Sequence, residues 1–359
     1  MAYLATSSAN AGDILNLGDP APPLAVSSWV KGDKVEKFEP GKTYVIEFWA
    51  TWCGPCLESI PHLTELAHQY KDKGVRFIGV DVWEQDTALV PPFVKEMGDK
   101  MDYSVALDSV TDKGDPKDGA MAKAWMNAAE EDGIPTAFIV RDGTIAWIGH
   151  PMKMDEPLAK ITAGDWDPKA DAGERLVKKT KEKKIRVIRQ KVYKPLRARD
   201  YKATLAAIEE VTASEPELAG EFELSRFIAL ANSGDVDAAL PLGTKLVDAH
   251  PDDLGILNGV AWGVVDLKLK KDPDPRLIPL ALKAARRADK VSKGASMILD
   301  TLAVALYRSG DPAAAILAEE KALEQLEAED TSRTHPYFKL FDERLALFRK
   351  AAKVKAERP

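Results

Sequence analysis

The only two cysteines of this 359-residue chain are Cys53 and Cys56, which are separated by two residues. This spacing lets two thiols open and close a disulfide, which is the chemistry of thiol–disulfide exchange. A structural zinc site would need about four ligands, and the chain has no second Cys/His pair. A structural disulfide closing so short a loop would add little stability. The spacing therefore favours a redox-active pair.

The elements around the pair place it at the start of a helix. Residues 43–50 predict a buried strand, and the apolar spacing from Leu57 to Tyr70 predicts a helix. Free N–H groups and the helix dipole at a helix N-terminus stabilise a thiolate, the reactive form of cysteine. We therefore expect Cys53 to have a lowered pKa and to attack a substrate disulfide. Cys56, one turn further into the helix, is expected to resolve the mixed disulfide.

Two motifs carry a resemblance to a known family. The first runs from Val45 to Cys56 and ends in Trp-Cys-Gly-Pro-Cys, and the second is Gly133–Val140. Together they resemble the thioredoxin superfamily, and within it the TlpA/ResA-like branch. The resemblance implies an α/β thioredoxin fold and a cis peptide bond before Pro135, which faces the cysteines. It also implies that Ile134 offers its backbone to a substrate chain laid alongside as an extra strand. Alone, Ile-Pro-Thr is also typical of an ordinary turn before a strand.

Two acidic residues lie near the predicted site. Glu47 falls in the middle of the buried strand, where the cost of burying a charge raises a carboxyl pKa. The resemblance implies that Glu47 accepts and returns the proton of Cys56. The alternative is a carboxylate that reaches the sheet edge and pairs with a Lys. Glu84 follows the strand predicted at 75–82 and matches an acidic site near the cysteines of the ResA-like branch, although a solvated loop acid fits equally well.

Several residues around the cysteines are predicted to contact the substrate: Trp52, Gly54, Pro55, Ile134 and Glu84. The Gly-Pro dipeptide between the cysteines resembles reducing members of the superfamily more than oxidising ones. No metal site is expected, because the five histidines are scattered without ligand spacing. No cofactor is expected beyond the Cys53–Cys56 disulfide itself.

Weaker local patterns complete this N-terminal part. Residues 25–38 alternate around Lys-Gly-Asp-Lys and predict a β-hairpin. Residues 86–132 exceed what a minimal thioredoxin requires and predict an insertion. Residues 137–140 and 144–149 predict a second hairpin across Asp142-Gly143.

The segment 166–199 is predicted to connect the thioredoxin-like domain, residues 1–165, to a second domain. Residues 164–173 have the Gly, Pro and Asp content that is typical of a linker. Residues 174–199 interleave many Lys and Arg with apolar residues, which predicts a basic helix. We expect a solvated charged helix. A basic patch that attracts an acidic partner or a membrane surface is the alternative.

Residues 200–359 predict an all-α domain that resembles a tetratricopeptide-like helical repeat. Residues 229–239 match residues 305–315, and both copies contain Ser-Gly-Asp. In such a turn the glycine ends one helix and the aspartate caps the next. The periodicity predicts helices near 201–213, 217–232, 236–249, 254–269, 275–290, 295–309, 312–328 and 335–354.

Composition limits the classes of function. The chain is 45% hydrophobic and 30% charged with a net charge of −7, which indicates a soluble globular protein and disfavours nucleic acid as a partner. No apolar run approaches the roughly 18 residues of a transmembrane helix. No intact signal peptide is recognisable, although residues 9–11 resemble the end of one. Members of the resembled branch are mostly exported, so we expect a bacterial periplasmic location, with the cytoplasm as the alternative.

Two functions follow from these observations. The first is a thiol–disulfide oxidoreductase that reduces protein disulfides and docks an unknown protein partner on its helical domain. The second is an interaction scaffold in which residues 200–359 carry the function and the cysteine pair is a sensor or a vestige. Replacing Cys53 by Ser separates them, because only the first function requires that thiol.

Overall fold

The chain forms two compact units in the computed structural model, and they divide between Ile185 and Arg186. The structure describes residues 14–111, 114–269, 271–329 and 335–357. The predicted signal-peptide remnant at residues 9–11 lies outside them. The predicted division into residues 1–165, 166–199 and 200–359 stays a prediction.

The first unit is built on a six-stranded sheet with the order β1-β4-β3-β2-β5-β6. The adjacent strands β4, β3 and β2 run parallel, and the remaining neighbours pair antiparallel. The strands are β1 (Val26–Lys31), β2 (Thr43–Trp49), β3 (Val75–Asp81), β4 (Ser104–Asp108), β5 (Thr136–Arg141) and β6 (Thr144–Gly149). Every residue of β2 is buried, because helices cover both faces of the sheet at its centre.

The helices of this unit divide the core into two layers. One layer packs Trp49, Cys56 and Ile60 between the sheet and α1, and the other packs Phe48 and Trp125 on the opposite face. This arrangement confirms the predicted thioredoxin fold. The helices are α1 (Gly54–Tyr70), α2 (Val90–Met97), a π-helix (Ala122–Asn127), α3 (Asp155–Ala163) and the first part of α4 (Pro168–Arg197), which continues past the division at Ile185.

Two predictions about the strands need correction, and they have one cause. Residues 25–38 form no hairpin; β1 instead pairs antiparallel with β4, with Trp29 opposite Ala106. Residues 86–132, predicted as an insertion, supply β4 itself. A strand partner nearly 80 residues away leaves no trace in the local pattern, because pairing depends on tertiary packing. The hairpin predicted across Asp142-Gly143 is confirmed.

The linker predicted at 164–173 is wrong in part, because α4 begins within it at Pro168. The side chain of Asp167 accepts a hydrogen bond from the backbone N–H of Lys169 at 2.9 Å. Asp followed by Pro is therefore a helix start here, since an aspartate caps free N–H groups and proline fits the first turn.

The second unit is all-α, as predicted. Its helices α6, α8 and α10 contact one another in succession. No helix in the described part of the chain is both long and apolar enough to span a bilayer. The helices are α5 (Tyr201–Ser214), α6 (Glu223–Ser233), α7 (Val236–Ala249), α8 (Leu254–Val265), α9 (Ile278–Ser292), α10 (Ser296–Arg308), α11 (Pro312–Glu329) and α12 (Tyr337–Ala356).

The repeated Ser-Gly-Asp triplets form tight turns in this unit. Gly234 and Gly310 have φ of 93° and 86°, a left-handed conformation that glycine adopts without strain. Asp235 and Asp311 then accept hydrogen bonds from the N–H groups of the third residue beyond. These contacts confirm the predicted turn chemistry, while the assignment to the tetratricopeptide family stays a prediction.

Candidate active site

Cys53 and Cys56 form a disulfide at the start of α1. Cys53 is the N-cap of the helix, and its Sγ accepts a hydrogen bond from the backbone N–H of Cys56 at 3.3 Å. The first turn of α1 contains no acidic residue. The helix dipole and the N–H of Cys56, which also bonds to the Cys53 carbonyl, thus point toward Cys53 Sγ, and no carboxylate on that turn opposes a negative charge there.

The two sulfurs differ in access. Cys53 is 4% exposed and Cys56 is fully buried, and Trp52 beside them is 57% exposed. Gly54 and Pro55 are exposed as well. The three neighbours of Cys53 that are predicted to contact substrate, Trp52, Gly54 and Pro55, are therefore exposed, while Cys56 is shielded from solvent.

The loop before β5 lies against the cysteines. The Ile134–Pro135 peptide bond is cis. The carbonyl oxygen of Ile134 lies 3.7 Å from Cys53 Sγ, and the hydroxyl of Thr136 donates to the carbonyl of Gly133 at 2.8 Å. The structure thus brings two sequence motifs that are about 80 residues apart into direct contact, as the resemblance implied.

Glu47 lies at the centre of β2 and is 1% exposed. Within the described residues, neither of its carboxylate oxygens has a hydrogen-bond partner. Burial raises the pKa of Glu47 well above its ordinary value, and the charge of Asp81 raises it further. Glu47 therefore favours its protonated form more strongly than an exposed glutamate does. In the described residues its carboxylate has no Lys partner, so it does not form the ion pair considered as the alternative.

Other polar groups converge on the same place, above Gly79 of β3. A Cβ on this glycine would lie 3.0 Å from the Tyr103 ring, 3.1 Å from Trp49 Nε1 and 3.4 Å from Glu47 Oε2. In the described part of the chain, Trp49 Nε1 and the Tyr103 hydroxyl also have no hydrogen-bond partner. A side chain here would push these groups away by a few tenths of an ångström, so the glycine lets them approach one another.

Glu84 is buried and holds the loop that leads into the cysteines. Its carboxylate accepts hydrogen bonds from the backbone N–H of Thr51 at 3.0 Å and from the hydroxyl of Thr51 at 2.7 Å. Trp83 just before it has a φ of 61°, which is uncommon and strained for a bulky residue. Both hydrogen bonds of Glu84 hold Thr51, in the loop that leads into the cysteines. The predicted contact of Glu84 with substrate stays a prediction.

Two further buried carboxyls at this edge of the sheet were not predicted from the sequence. Asp81 ends β3 and is 2% exposed; burial, then the charges of Glu84 and Asp108, raises its pKa to about 8. Asp108 ends β4 and accepts hydrogen bonds from the N–H groups of Met121 at 2.7 Å and Ala122 at 3.0 Å. Both could have been found, because the carboxyl ends of parallel strands meet at one edge.

The arrangement supports thiol–disulfide exchange. Cys53 keeps slight solvent exposure beside backbone groups, Cys56 is fully buried, and a carboxyl with a raised pKa lies in the sheet on the side covered by α1. Among the described residues, no group of His, Cys, Asp or Glu has the arrangement of a metal site.

Comparisons with known proteins agree with this chemistry. The family model described as Redoxin matches residues 17–159. Protein FixW of Rhizobium leguminosarum is 31% identical over 202 residues, which cover 55% of this chain and 90% of FixW. The thiol-disulfide oxidoreductase ResA of Bacillus thuringiensis subsp. konkukian is 35% identical over 154 residues, covering 41% of this chain and 80% of ResA.

A similar solved structure is a thiol:disulfide interchange protein of the thioredoxin family from Chlorobium tepidum. It is 24% identical and covers 40% of this chain and 97% of its own, with a TM-score of 0.31.

Asp81 gives the first test of this site. Between pH 4 and pH 8 the folded protein keeps a proton on Asp81 that the unfolded chain releases, because the folded pKa is about 8 against an ordinary 3.8. The free energy of unfolding therefore falls as pH rises through this range. We expect Asp81→Asn to be more stable than wild type, by a margin that grows from pH 5 to pH 8 in urea titrations.

The matched control is Asp72→Asn, at an exposed position of the same unit. It should track the wild type at every pH. A margin for Asp81→Asn that is constant with pH, or that shrinks as pH rises, would contradict the assignment of a raised pKa.

Proposed function

Because the chain belongs to the redoxin family of thiol–disulfide oxidoreductases, we propose that it reduces disulfides in polypeptide substrates through Cys53 and Cys56. The observation that carries this proposal is the position of Cys53 Sγ, which lies between a helix N-terminus and the Ile134 carbonyl. A substrate chain paired with the Ile134 backbone would present its disulfide to Cys53. The exposed Trp52 supports the proposal, since it offers apolar contact area beside the sulfur.

The reaction begins with the reduced pair. The Cys53 thiolate attacks one substrate sulfur, so that a Cys53–substrate disulfide forms and the other substrate sulfur leaves as a thiolate. Cys56, deprotonated, then attacks Cys53 Sγ, forming the Cys53–Cys56 disulfide and releasing the second substrate thiolate. The substrate gains two electrons and the protein loses two, so a separate dithiol must reduce the protein before the next cycle.

Glu47 supplies the proton chemistry of the second step in this proposal. A buried Cys56 thiol is a poor nucleophile until it loses its proton. A carboxyl with a strongly raised pKa is well matched to take that proton and return it when the pair is reduced again. Its burial on the α1 side of the sheet supports this role, and its lack of competing hydrogen bonds among the described residues leaves both oxygens available.

The thiols are tested by two substitutions. We expect Cys53→Ser to lower insulin disulfide reduction to the uncatalysed rate, because the attacking sulfur is gone. We expect Cys56→Ser to accumulate mixed disulfides through Cys53, detectable as bands on non-reducing gels that collapse with dithiothreitol.

The scaffold hypothesis predicts the reverse pattern. A Cys53→Ser protein that still complements a deletion strain in full would move the function to the helical unit. Trapping through Cys53 in Cys56→Ser, with loss of complementation in Cys53→Ser, would exclude it.

The helical unit is proposed to dock the protein substrate or another protein partner. A cleft of about 450 Å³ there is lined by residues of α8, α10 and α12, including Asn258, Trp262 and Arg344. The Arg344 guanidinium lies 5.0 Å from the centre of the Trp262 ring. Within the described residues, Asn258 Oδ1 is buried without a hydrogen-bond partner. The cleft thus combines an aromatic ring, an unused acceptor and a guanidinium that is itself paired with Asp300, and Trp and Arg often anchor polypeptides at interfaces.

Trapping in the full chain checks the docking proposal. In a Cys56→Ser background, we expect Trp262→Ala to lower the yield of captured partner about fivefold, the effect of losing roughly 1 kcal/mol at an aromatic anchor. The control is Leu317→Ala on α11, whose side chain is 70% exposed and lies outside this cleft. Equal yields from the two variants would remove the cleft from the docking surface.

The reducing direction and the compartment are further parts of the proposal. The Gly-Pro dipeptide and the resemblance support a reductant, and the resemblance also supports export, which cell fractionation would test. We expect equilibration with glutathione to give a potential near that of thioredoxin, about −270 mV. A value near about −120 mV, the oxidising end of the superfamily, would overturn the reducing direction while leaving the exchange chemistry intact.

A further inference from the structure

Three basic residues on α4 lie four positions apart and so occupy one face of the helix: Arg175, Lys179 and Lys183. All three contact the short segment 129–131, which follows the π-helix. These contacts were not expected, because the sequence predicts a solvated charged helix over residues 174–199.

Arg175 makes the most contacts. One terminal nitrogen donates to the carbonyl of Ala129 at 2.9 Å and to Glu131 Oε1 at 2.8 Å. The other donates to the carbonyl of Leu15 at 3.0 Å and to Asn16 Oδ1 at 3.1 Å. The planar guanidinium therefore joins α4, the start of the described chain and the end of the π-helix in one network.

Lys179 and Lys183 extend the network along the same face. Lys179 Nζ donates to Glu131 Oε2 at 2.9 Å and to the carbonyl of Glu130 at 3.2 Å. Lys183 Nζ lies 2.7 Å from Glu130 Oε1. Each oxygen of the Glu131 carboxylate is thus held by a different cation, so the side chain has no freedom to rotate away.

Burial makes these contacts stronger than ordinary surface pairs. The side chains of Arg175, Lys179 and Glu131 are 11%, 14% and 19% exposed. Exposed pairs contribute little because water and salt screen them, whereas poorly exposed, charge-assisted hydrogen bonds are screened less. Lys178, the neighbour of Lys179, is exposed. Only this one face of the basic helix is committed to the first unit.

The segment 129–131 that these cations hold leads directly into the loop before β5, which contains Ile134. Glu131 is three residues before Ile134, whose carbonyl oxygen lies 3.7 Å from Cys53 Sγ. Glu130 has a φ of 56°, a left-handed turn that directs the chain out of the π-helix toward this loop. A shift of Glu131 would therefore pass to Ile134 through only two intervening residues, Asp132 and Gly133.

We propose that Arg175 and Lys179 are positioning residues for polypeptide recognition: by holding Glu131, they set the place of the Ile134 backbone beside Cys53. The inference rests on the proposed function, in which a substrate chain pairs with Ile134. It goes beyond that function because it assigns substrate discrimination to a helix outside the strands and loops of the redox site. A small disulfide needs only the sulfur of Cys53, so the network favours polypeptide disulfides selectively.

The experiment compares two substrates in the reduced full-length protein. We expect Arg175→Ala and Lys179→Ala to raise the KM for insulin and lower kcat/KM about tenfold, as a small displacement of a positioning group can. The rate with 5,5′-dithiobis(2-nitrobenzoate) should change less than about twofold, because that reaction does not use the Ile134 backbone. Arg175→Lys keeps the positive charge but lacks the planar guanidinium, so its kcat/KM for insulin should lie between those of Arg175→Ala and the wild type.

Lys178→Ala is the matched control and should behave as wild type with both substrates. Equal losses with insulin and the small disulfide would show a general loss of structure and overturn the proposal, as would no loss with either. Should Arg175→Ala fail to fold, Glu131→Gln removes the same ion pairs with a smaller change in shape. Equal losses with both substrates, or no loss with either, would again overturn the proposal.

A second readout does not depend on activity. We expect amide hydrogen exchange in residues 129–136 to quicken in Arg175→Ala and to stay unchanged in Lys178→Ala. Unchanged exchange in this segment would overturn the positioning role even if activity fell. If the wild type reduced the small disulfide but no polypeptide, the proposed function would fail, while the exchange rates would still decide whether α4 positions the loop.

Discussion

The direction of the peptide N–H groups at the start of α1 is the constraint on which the site depends. Cys53 caps this helix, and the N–H of Cys56 points at its sulfur. This geometry favours a negative charge on one sulfur and not on the other, because the second lies inside the first turn. The proposed difference between an attacking Cys53 and a resolving Cys56 therefore depends on the backbone at the start of α1.

The layer beneath the cysteines departs from what stability alone would favour. Glu47 and Asp81 occupy central strands among apolar side chains, and burial raises the pKa of both. Buried carboxyls weaken a fold relative to apolar residues of similar size, so their presence indicates a use. Gly79 adds to this by leaving room for Trp49 and Tyr103 to approach Glu47. The sheet thus gives up some packing energy and gains buried carboxyls that hold protons more readily than exposed ones.

Two different loops of the site are each held by a hydrogen-bonded carboxylate. Glu84 fixes Thr51 on the side that leads into the cysteines. On the other side, Arg175 and Lys179 hold the carboxylate of Glu131 ahead of Ile134. Loops that carry function are otherwise the most mobile parts of a fold, and charge-assisted hydrogen bonds of low exposure restrain them.

Local pattern predicted much of this protein: the strand–CxxC–helix unit, an acid at position 47 of a buried strand and nearly every helix after residue 200. These features depend on residues that are close to one another in the sequence, so the local sequence pattern is enough to predict them. The role of the Ile-Pro motif came from the family resemblance, since the motif alone also fits an ordinary turn. Tertiary structure alone decided that β1 pairs with β4, that Asp81 and Asp108 share an edge with Glu84, and that Arg175 reaches Glu131. Each of these joins residues far apart in the chain, and such contacts are chosen by packing and burial, which no local pattern records.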